Sequence, residues 1–264
     1  MGSATREALA QSVAALEAAQ GSVDLSTAAE LLDAGRVIDA SAQLRTLIAD
    51  PAAEPEVKAE VANRVFGGRV GQTAASLLGV IARGRWSSAE DLLAGVEELG
   101  IRAAAISAPD ADLESELFQF GRAVSSNAEL ELALSAKLGS GDAKADLVQK
   151  LLAGKASEQT VLIVSQLVRQ ARGRRTGELL RRAASVVASQ RGRTVATVTS
   201  ASPLNDTQVE RLRGVLGGMY KQDIAFNLVV DPELVGGMRI QAGDDVIDGS
   251  IASRLADLKL KLAG

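Results

Sequence analysis

The chain of 264 residues contains no histidine and no cysteine. Without histidine it lacks the side chain that most often serves as a general base near neutral pH. Without cysteine it has no disulfide, no thiol nucleophile and none of the usual zinc ligand sets, and it fits a reducing compartment. Aromatic residues are 2% of the chain, although apolar residues reach 47%. Its core must therefore be built from Ala, Leu and Val, which suits packed helices. Long apolar runs are also missing: Val161-Leu162-Ile163-Val164 is broken by Ser165 and Gln166, far short of the ~20 residues that span a bilayer. The N-terminus carries Arg6 and Glu7 where a signal peptide has its apolar segment. These absences predict a soluble, cytoplasmic protein. The net charge of −4 argues against a general nucleic-acid binder, whose affinity comes from neutralising phosphates.

What the chain does have is a repeat. Glu30-Leu31-Leu32-Asp33-Ala34-Gly35-Arg36 matches Glu116-Leu117-Phe118-Gln119-Phe120-Gly121-Arg122, 86 residues on. The match continues from Ala42 and Leu44 to Ala128 and Leu130. One inserted residue then brings Leu47 onto Leu134, Val61 onto Val148, Gly67 onto Gly154, Arg85 onto Arg172 and Leu92-Leu93 onto Leu179-Leu180. Both copies show apolar residues at three- and four-residue steps, with Gly, Pro and Asp at the breaks. The stretch from Ser88 to Ile106 closes the first copy and, by the same offset, aligns with the opening stretch Thr5 to Gln20. One helix can serve both copies.

The period changes at Thr194, where Thr194 to Ser200 is rich in β-branched residues and predicts a strand. A helix follows to Tyr220, with Asn205 and Gln208 spaced as a capping pair. Ile224, Phe226, Leu228 and Val230 alternate as on one face of a second strand. Gly236-Gly237 predicts a turn, Met238 to Ala242 a third strand, and Gly243-Asp244-Asp245 another turn. A final helix is expected from Ser250, with Ile251, Leu255, Leu258 and Leu262 as its apolar stripe. The patterning thus predicts a mainly α protein with a small α+β C-terminal domain. A first helical bundle covers 1–95 and a second 96–190, sharing the helix near 88–106; a short-stranded sheet with helices covers 191–264.

Candidates for chemistry are few. Gly67-Gly68-Arg69-Val70-Gly71-Gln72-Thr73 faintly resembles a phosphate loop but lacks the lysine and has helical flanks, and Gly154-Lys155-Ala156 has the lysine without the rest. Both read better as interhelical turns. Asp244, Asp245 and Asp248 suit turns and a helix cap better than a cation site. Arg169, Arg172, Arg174, Arg175, Arg181, Arg182, Arg191 and Arg193 are opposed within their stretch only by Glu178. No aromatics are interleaved for base stacking, so a solvated face is the default, then an acidic protein partner, then nucleic acid.

The segment Leu228-Val229-Val230-Asp231-Pro232-Glu233-Leu234-Val235-Gly236-Gly237-Met238-Arg239-Ile240-Gln241-Ala242-Gly243, continuing to Ser250, resembles the signature of the delta subunit of the F-type ATP synthase, whose mitochondrial relative is the oligomycin-sensitivity-conferring protein. Val198-Thr199-Ser200-Ala201-Ser202-Pro203-Leu204 is similar to a second family segment. The resemblance covers about residues 91 to 264 and makes the first ninety an extra copy of the helical domain, as in long actinobacterial forms. It implies a non-catalytic stator subunit with no catalytic, cofactor or metal residues. The helical domain would grip an N-terminal helix of an alpha subunit, and the C-terminal domain would hold the b subunit of the peripheral stalk. It also implies a peripheral place on the cytoplasmic face of a bacterial plasma membrane, reached only through the complex, and no nucleic-acid partner. Asp231, Pro232, Gly236 and Gly237 become structural turn residues. The different-class alternative is a helical adaptor or regulator that uses the basic Arg169–Arg193 stretch.

The helix expected over Glu158–Arg169 suggests a partner surface. On a 3.6-residue wheel Val161, Val164 and Val168 share one face, while Ile163 and Leu167, with neighbouring Leu162, lie on a second. A helix apolar on two sides must be fully buried or meet a partner. In the inserted-residue register the first copy has Ser76 and Val80 on that second face, which is less apolar. The expectation is that the second copy binds the alpha-subunit helix through Ile163, Leu167 and Leu162.

Overall fold

The structure, a computed structural model, describes residues 2–136, 139–234, 236–243 and 245–249. The chain divides into two compact units, 1–186 and 187–264.

Six helices open the chain: α1 (Ser3–Ala18), α2 (Leu25–Ala40), α3 (Ala42–Ala49), α4 (Pro55–Phe66), α5 (Gln72–Arg83) and α6 (Ala89–Ser107). From α6 onward the order repeats through α7 (Leu113–Ser125), α8 (Ala128–Ser135), α9 (Gly141–Leu152), α10 (Glu158–Arg169) and α11 (Thr176–Gln190). So α6 closes one set and opens the next. Helices α3, α4 and α5 begin and end 86 residues before α8, α9 and α10. The cap of α3 repeats on α8, with Ser41 and Asn127 each accepting from the backbone three residues on, whereas α4 and α5 start without the side-chain caps that Ser140 and Ser157 give α9 and α10. Their buried stripes repeat as well: Ala74, Leu77, Leu78, Ile81 and Ala82 on α5 correspond to Thr160, Ile163, Val164, Leu167 and Val168 on α10.

This corrects the register read from sequence. The inserted residue does not follow Leu44 and Leu130. It lies after α10, where residues 170–175 replace the shorter connection 84–88. Ala- and Leu-rich helices match almost as well one residue out of step, whereas backbone angles do not. Gly68 (φ 75°) and Gly154 (φ 69°) occupy the left-handed position 86 residues apart, so Gly154 pairs with Gly68 and not with Gly67.

The sets are tied internally by a repeated carboxylate. Glu30 on α2 accepts a hydrogen bond from the Gly71 amide at 2.9 Å, at the start of α5. Glu116 on α7 accepts from the Ser157 amide at 3.1 Å and hydroxyl at 2.6 Å, at the start of α10. A carboxylate at a helix N-terminus satisfies open amides and meets the positive end of the dipole. Lys58 of α4 is buried, and its Nζ donates to the Gly84 carbonyl at 2.8 Å, just past the end of α5. Burial pushes its pKa below the ordinary lysine value.

The opening helix α1 buries one stripe, Thr5, Ala8, Ser12 and Leu16. Its Thr5 hydroxyl donates to Asp91 of α6 at 2.7 Å and accepts from the Ser87 amide at 2.9 Å. Helix α6 is buried nearly all round, from Leu92 and Leu93 to Ala103, Ala104 and Ala105. Its Gly100 lets α2 approach: a Cβ there would fall 2.5 Å from Leu32 Cγ.

The second unit holds strands β1 (Arg193–Ser200), β2 (Asp223–Val230), β3 (Met238–Ala242) and β4 (Asp245–Asp248), with α12 (Asp206–Tyr220) between the first two. The order is β2-β1-β3-β4, with β1 and β2 parallel and the other pairs antiparallel. A parallel pair needs a crossover, and α12 supplies it. Asn205 and Gln208 form the expected capping box. Ala196, Val198, Leu216, Ile224, Ile240 and Ala242 form the core, with Phe226 and Leu212 against it. Strand β4 was not foreseen, because two aspartates in sequence suggest a turn. The helix expected from Ser250 lies outside the described residues.

Two outcomes follow. Glu116→Ala should lower stability by about 1–3 kcal/mol, because it strips a half-buried amide and hydroxyl of their acceptor, read by urea denaturation. Between β2 and β3, Gly236 (φ 69°) and Gly237 (φ 78°) are both left-handed. Gly237→Val should therefore cost about 1–3 kcal/mol, and the fluorescence of the single tyrosine, Tyr220, should report the loss in the second unit first.

Candidate functional site

The residues with most chemistry lie along the basic stretch, and the structure gives them acidic partners from other elements. Glu97 of α6 receives the Arg172 guanidinium at 2.6 Å and that of Arg174 through two bonds at 2.7 and 2.8 Å. Glu98 receives Arg102 at 2.8 Å and lies 3.6 Å from Arg182. Arg169 meets Asp142 of α9 at 2.9 Å. Glu97 and Glu98 are both buried, and burial pushes the Arg172 pKa down against the pull of Glu97. The stretch is thus in large part an internal clamp between α6 and the α10–α11 connection. Each of these pairings withdraws a cation from phosphate binding, and the nucleic-acid adaptor loses its main support. Sequence reading missed Glu97 and Glu98, although two adjacent acids inside the otherwise apolar run Leu92–Ile101 were a visible signal.

The phosphate-loop look-alike is a helix entry. The Gly71 amide, which a phosphate would need, already donates to Glu30. Among the described residues no group of three or more acidic side chains could hold a metal ion. Asp245 accepts from the Tyr220 hydroxyl at 3.1 Å and Asp248 from Arg239 at 3.1 Å; Asp244 lies outside the described residues. Asp231 and Pro232 leave β2 in a turn: the Asp231 carboxylate accepts from the Glu233 amide at 3.0 Å, and its own amide donates to Ser200 at 2.9 Å.

The partner face expected on α10 needs correction. Ile163 and Leu167 are 0% and 2% exposed, so neither is a free surface. With Thr160, Val164 and Val168 they form one continuous stripe, about 140° wide at ~100° per residue, which is an ordinary width for a buried helix face. The wheel reading split this stripe in two. Val161, placed in the core by sequence, is only half-buried, as is Leu162. Helix α10 packs on α9, α6 and α7, and it also touches α2 of the first set. There Gln166 donates to Asp33 at 3.1 Å and Gln170 to Asp39 at 2.7 Å.

Shared-helix packing, acid-capped helix starts and a clamped arginine cluster define a structural, interaction-bearing helical protein with a small mixed-sheet unit. The family pattern described as ATP synthase delta (OSCP) subunit matches residues 101–262. The ATP synthase subunit delta of Leifsonia xyli subsp. xyli is 54% identical, over all of both chains. That of Streptomyces avermitilis is 41% identical over 98% of each, and that of Streptomyces griseus 40% identical over all of both. The chain belongs to the ATP synthase delta (OSCP) family: it is a non-catalytic stator component of the ATP synthase complex. The first hundred residues, outside the family pattern, are matched by these full-length relatives. Among the described residues no helix is long and apolar enough to cross a membrane.

Glu97→Gln leaves two part-buried guanidinium groups facing a neutral amide. It should destabilise the helical unit by about 2–4 kcal/mol, measured as a shifted denaturation midpoint.

Proposed function

We propose that the chain joins the catalytic head of the ATP synthase to its peripheral stalk, binding an alpha-subunit N-terminal helix through its helical unit and the b subunit through its C-terminal unit. It then sits at the cytoplasmic face of the plasma membrane and reaches the membrane only through the complex. Family membership over the full chain carries this reading. The division into two compact units supports it, because a linker needs one binding body for each partner. A cross-linked helical unit suits a part that must resist turning, since each internal tie removes a soft mode.

The reading is tested by mixing the full chain with the enzyme's alpha–beta head and with b, and following the complexes on native gels. A ternary complex should form, and removing the alpha N-terminal helix should release the head while b stays bound. Head binding that survives this truncation would contradict the reading.

A further inference from the structure

The second unit has an apolar sheet face that α12 covers only in part. The strand registers set Leu228, Val198, Ile240 and Ile247 in one row across β2, β1, β3 and β4. Side chains directly opposite one another point to the same side of a sheet. That side also carries Ala196, Ile224 and Ala242, which share a core with Leu216 of α12. In the middle of the row Val198 and Ile240 are buried, whereas Leu228 and Ile247 at its ends are 42% and 39% exposed. A helix about 10 Å across covers roughly two strands ~4.8 Å apart, so a four-stranded face takes two helices. Among the described residues α12 is the one helix in this core. Its orientation shows which half is uncovered. Arg213 donates to the Ile224 carbonyl at 2.7 Å, and its guanidinium lies 5.1 Å from the centre of the Phe226 ring, so that flank of α12 faces β2. On a 3.6-residue wheel Val215 and Met219 lie across Leu216 from Arg213, on the flank toward β3 and β4. Each is 59% exposed. With Ile247 and the partly buried Met238 they line a trough over β3 and β4, which ends where the Tyr220 hydroxyl meets Asp245.

We infer that this trough is the seat of the chain's own last segment, residues 251–264, which lies beside α12 as an amphipathic helix and closes the core of the unit. The chain leaves β4 at the open end of the trough, where the Gly249 amide donates to the Met238 carbonyl at 2.9 Å. As a helix, 251–264 is about 20 Å long at ~1.5 Å per residue, close to the 15 residues of α12. Ile251, Leu255, Leu258 and Leu262 fall on one side of it, an aliphatic ridge that suits a trough of Val215, Met219, Met238 and Ile247. The opposite face of the sheet does not suit it, because the corresponding row there is Asn227, Thr197, Gln241 and Val246. Strand β4 ends level with the end of β1, after which α12 begins. The seated segment therefore runs in the same direction as α12, and Leu262 comes level with Met219.

The chain has no cysteine, so two introduced cysteines form the only thiol pair. Met219→Cys with Leu262→Cys, in the full chain, is treated with a short bismaleimide and followed by mass. This pair should link within one chain about tenfold or more faster than Gln241→Cys with Leu262→Cys, because seating holds the first two thiols at high effective concentration and Gln241 lies on the other face. Adding Leu255→Ser and Leu258→Ser should remove the preference, while Trp86 in the helical unit keeps its denaturation midpoint. A faster Gln241 link would put the segment on the other face. Linkage only between chains would make the occupant a second copy. Either result overturns the inference, as do equal rates for the two pairs or a preference that survives the serine changes.

Discussion

One helix must satisfy two bundles at once, and the rest of the helical unit follows from that constraint. Helix α6 is the sixth helix of one set and the first of the next, so most of its surface is buried. Its sequence reflects this. Leu92, Leu93, Val96, Leu99, Ile101 and Ala103 to Ala105 supply apolar surface on every side. Gly95 and Gly100 let Trp86 and Leu32 come closer than any side chain would allow. Burying a helix on all sides is favourable only if its polar groups find partners. Glu97 and Glu98 are the two large exceptions, and both are met by guanidinium groups from the chain that follows.

Around this helix the chain uses one device twice. A carboxylate on the second helix of each set caps the start of the fifth, and an acid on the fourth helix pairs with an arginine at the end of the fifth. Arg83 with Glu56 and Arg169 with Asp142 are the two pairs, 86 residues apart. The exposed pairs contribute little stability; the capping carboxylates contribute more, because they serve amides that the helix leaves open. Such ties fix angles between helices, which is what a stator part requires.

Much of this was legible in the sequence. The change of period at Thr194, the capping pair Asn205–Gln208 and the glycine turn before β3 each carry local chemistry strong enough to read. What was not legible depended on register and on distance. A one-residue slip in an alanine- and leucine-rich helix changes few letters, yet it moved the apparent partners of Ile163 and Leu167 to Ser76 and Val80, while a wheel reading of α10 separately split one buried stripe into two faces. The clamp of Arg172 and Arg174 on Glu97 joins residues more than seventy apart, which no local pattern reports. Strand β4 forms because β3 offers an edge to Val246 and Ile247, although Asp245 and Asp248 at its ends do not favour strand.

If α6 makes the two sets one cooperative body, neither can unfold alone. The single tryptophan, Trp86, is buried in the first set, with its indole N–H bonded to the Ile81 carbonyl at 2.9 Å. Amides of α9 and α10 report the second set. Denaturant titration followed by Trp86 fluorescence and by hydrogen exchange at α9 and α10 should give one shared midpoint. A Trp86 transition at lower denaturant, with α9 and α10 still protected, would show two independent bundles and contradict the account.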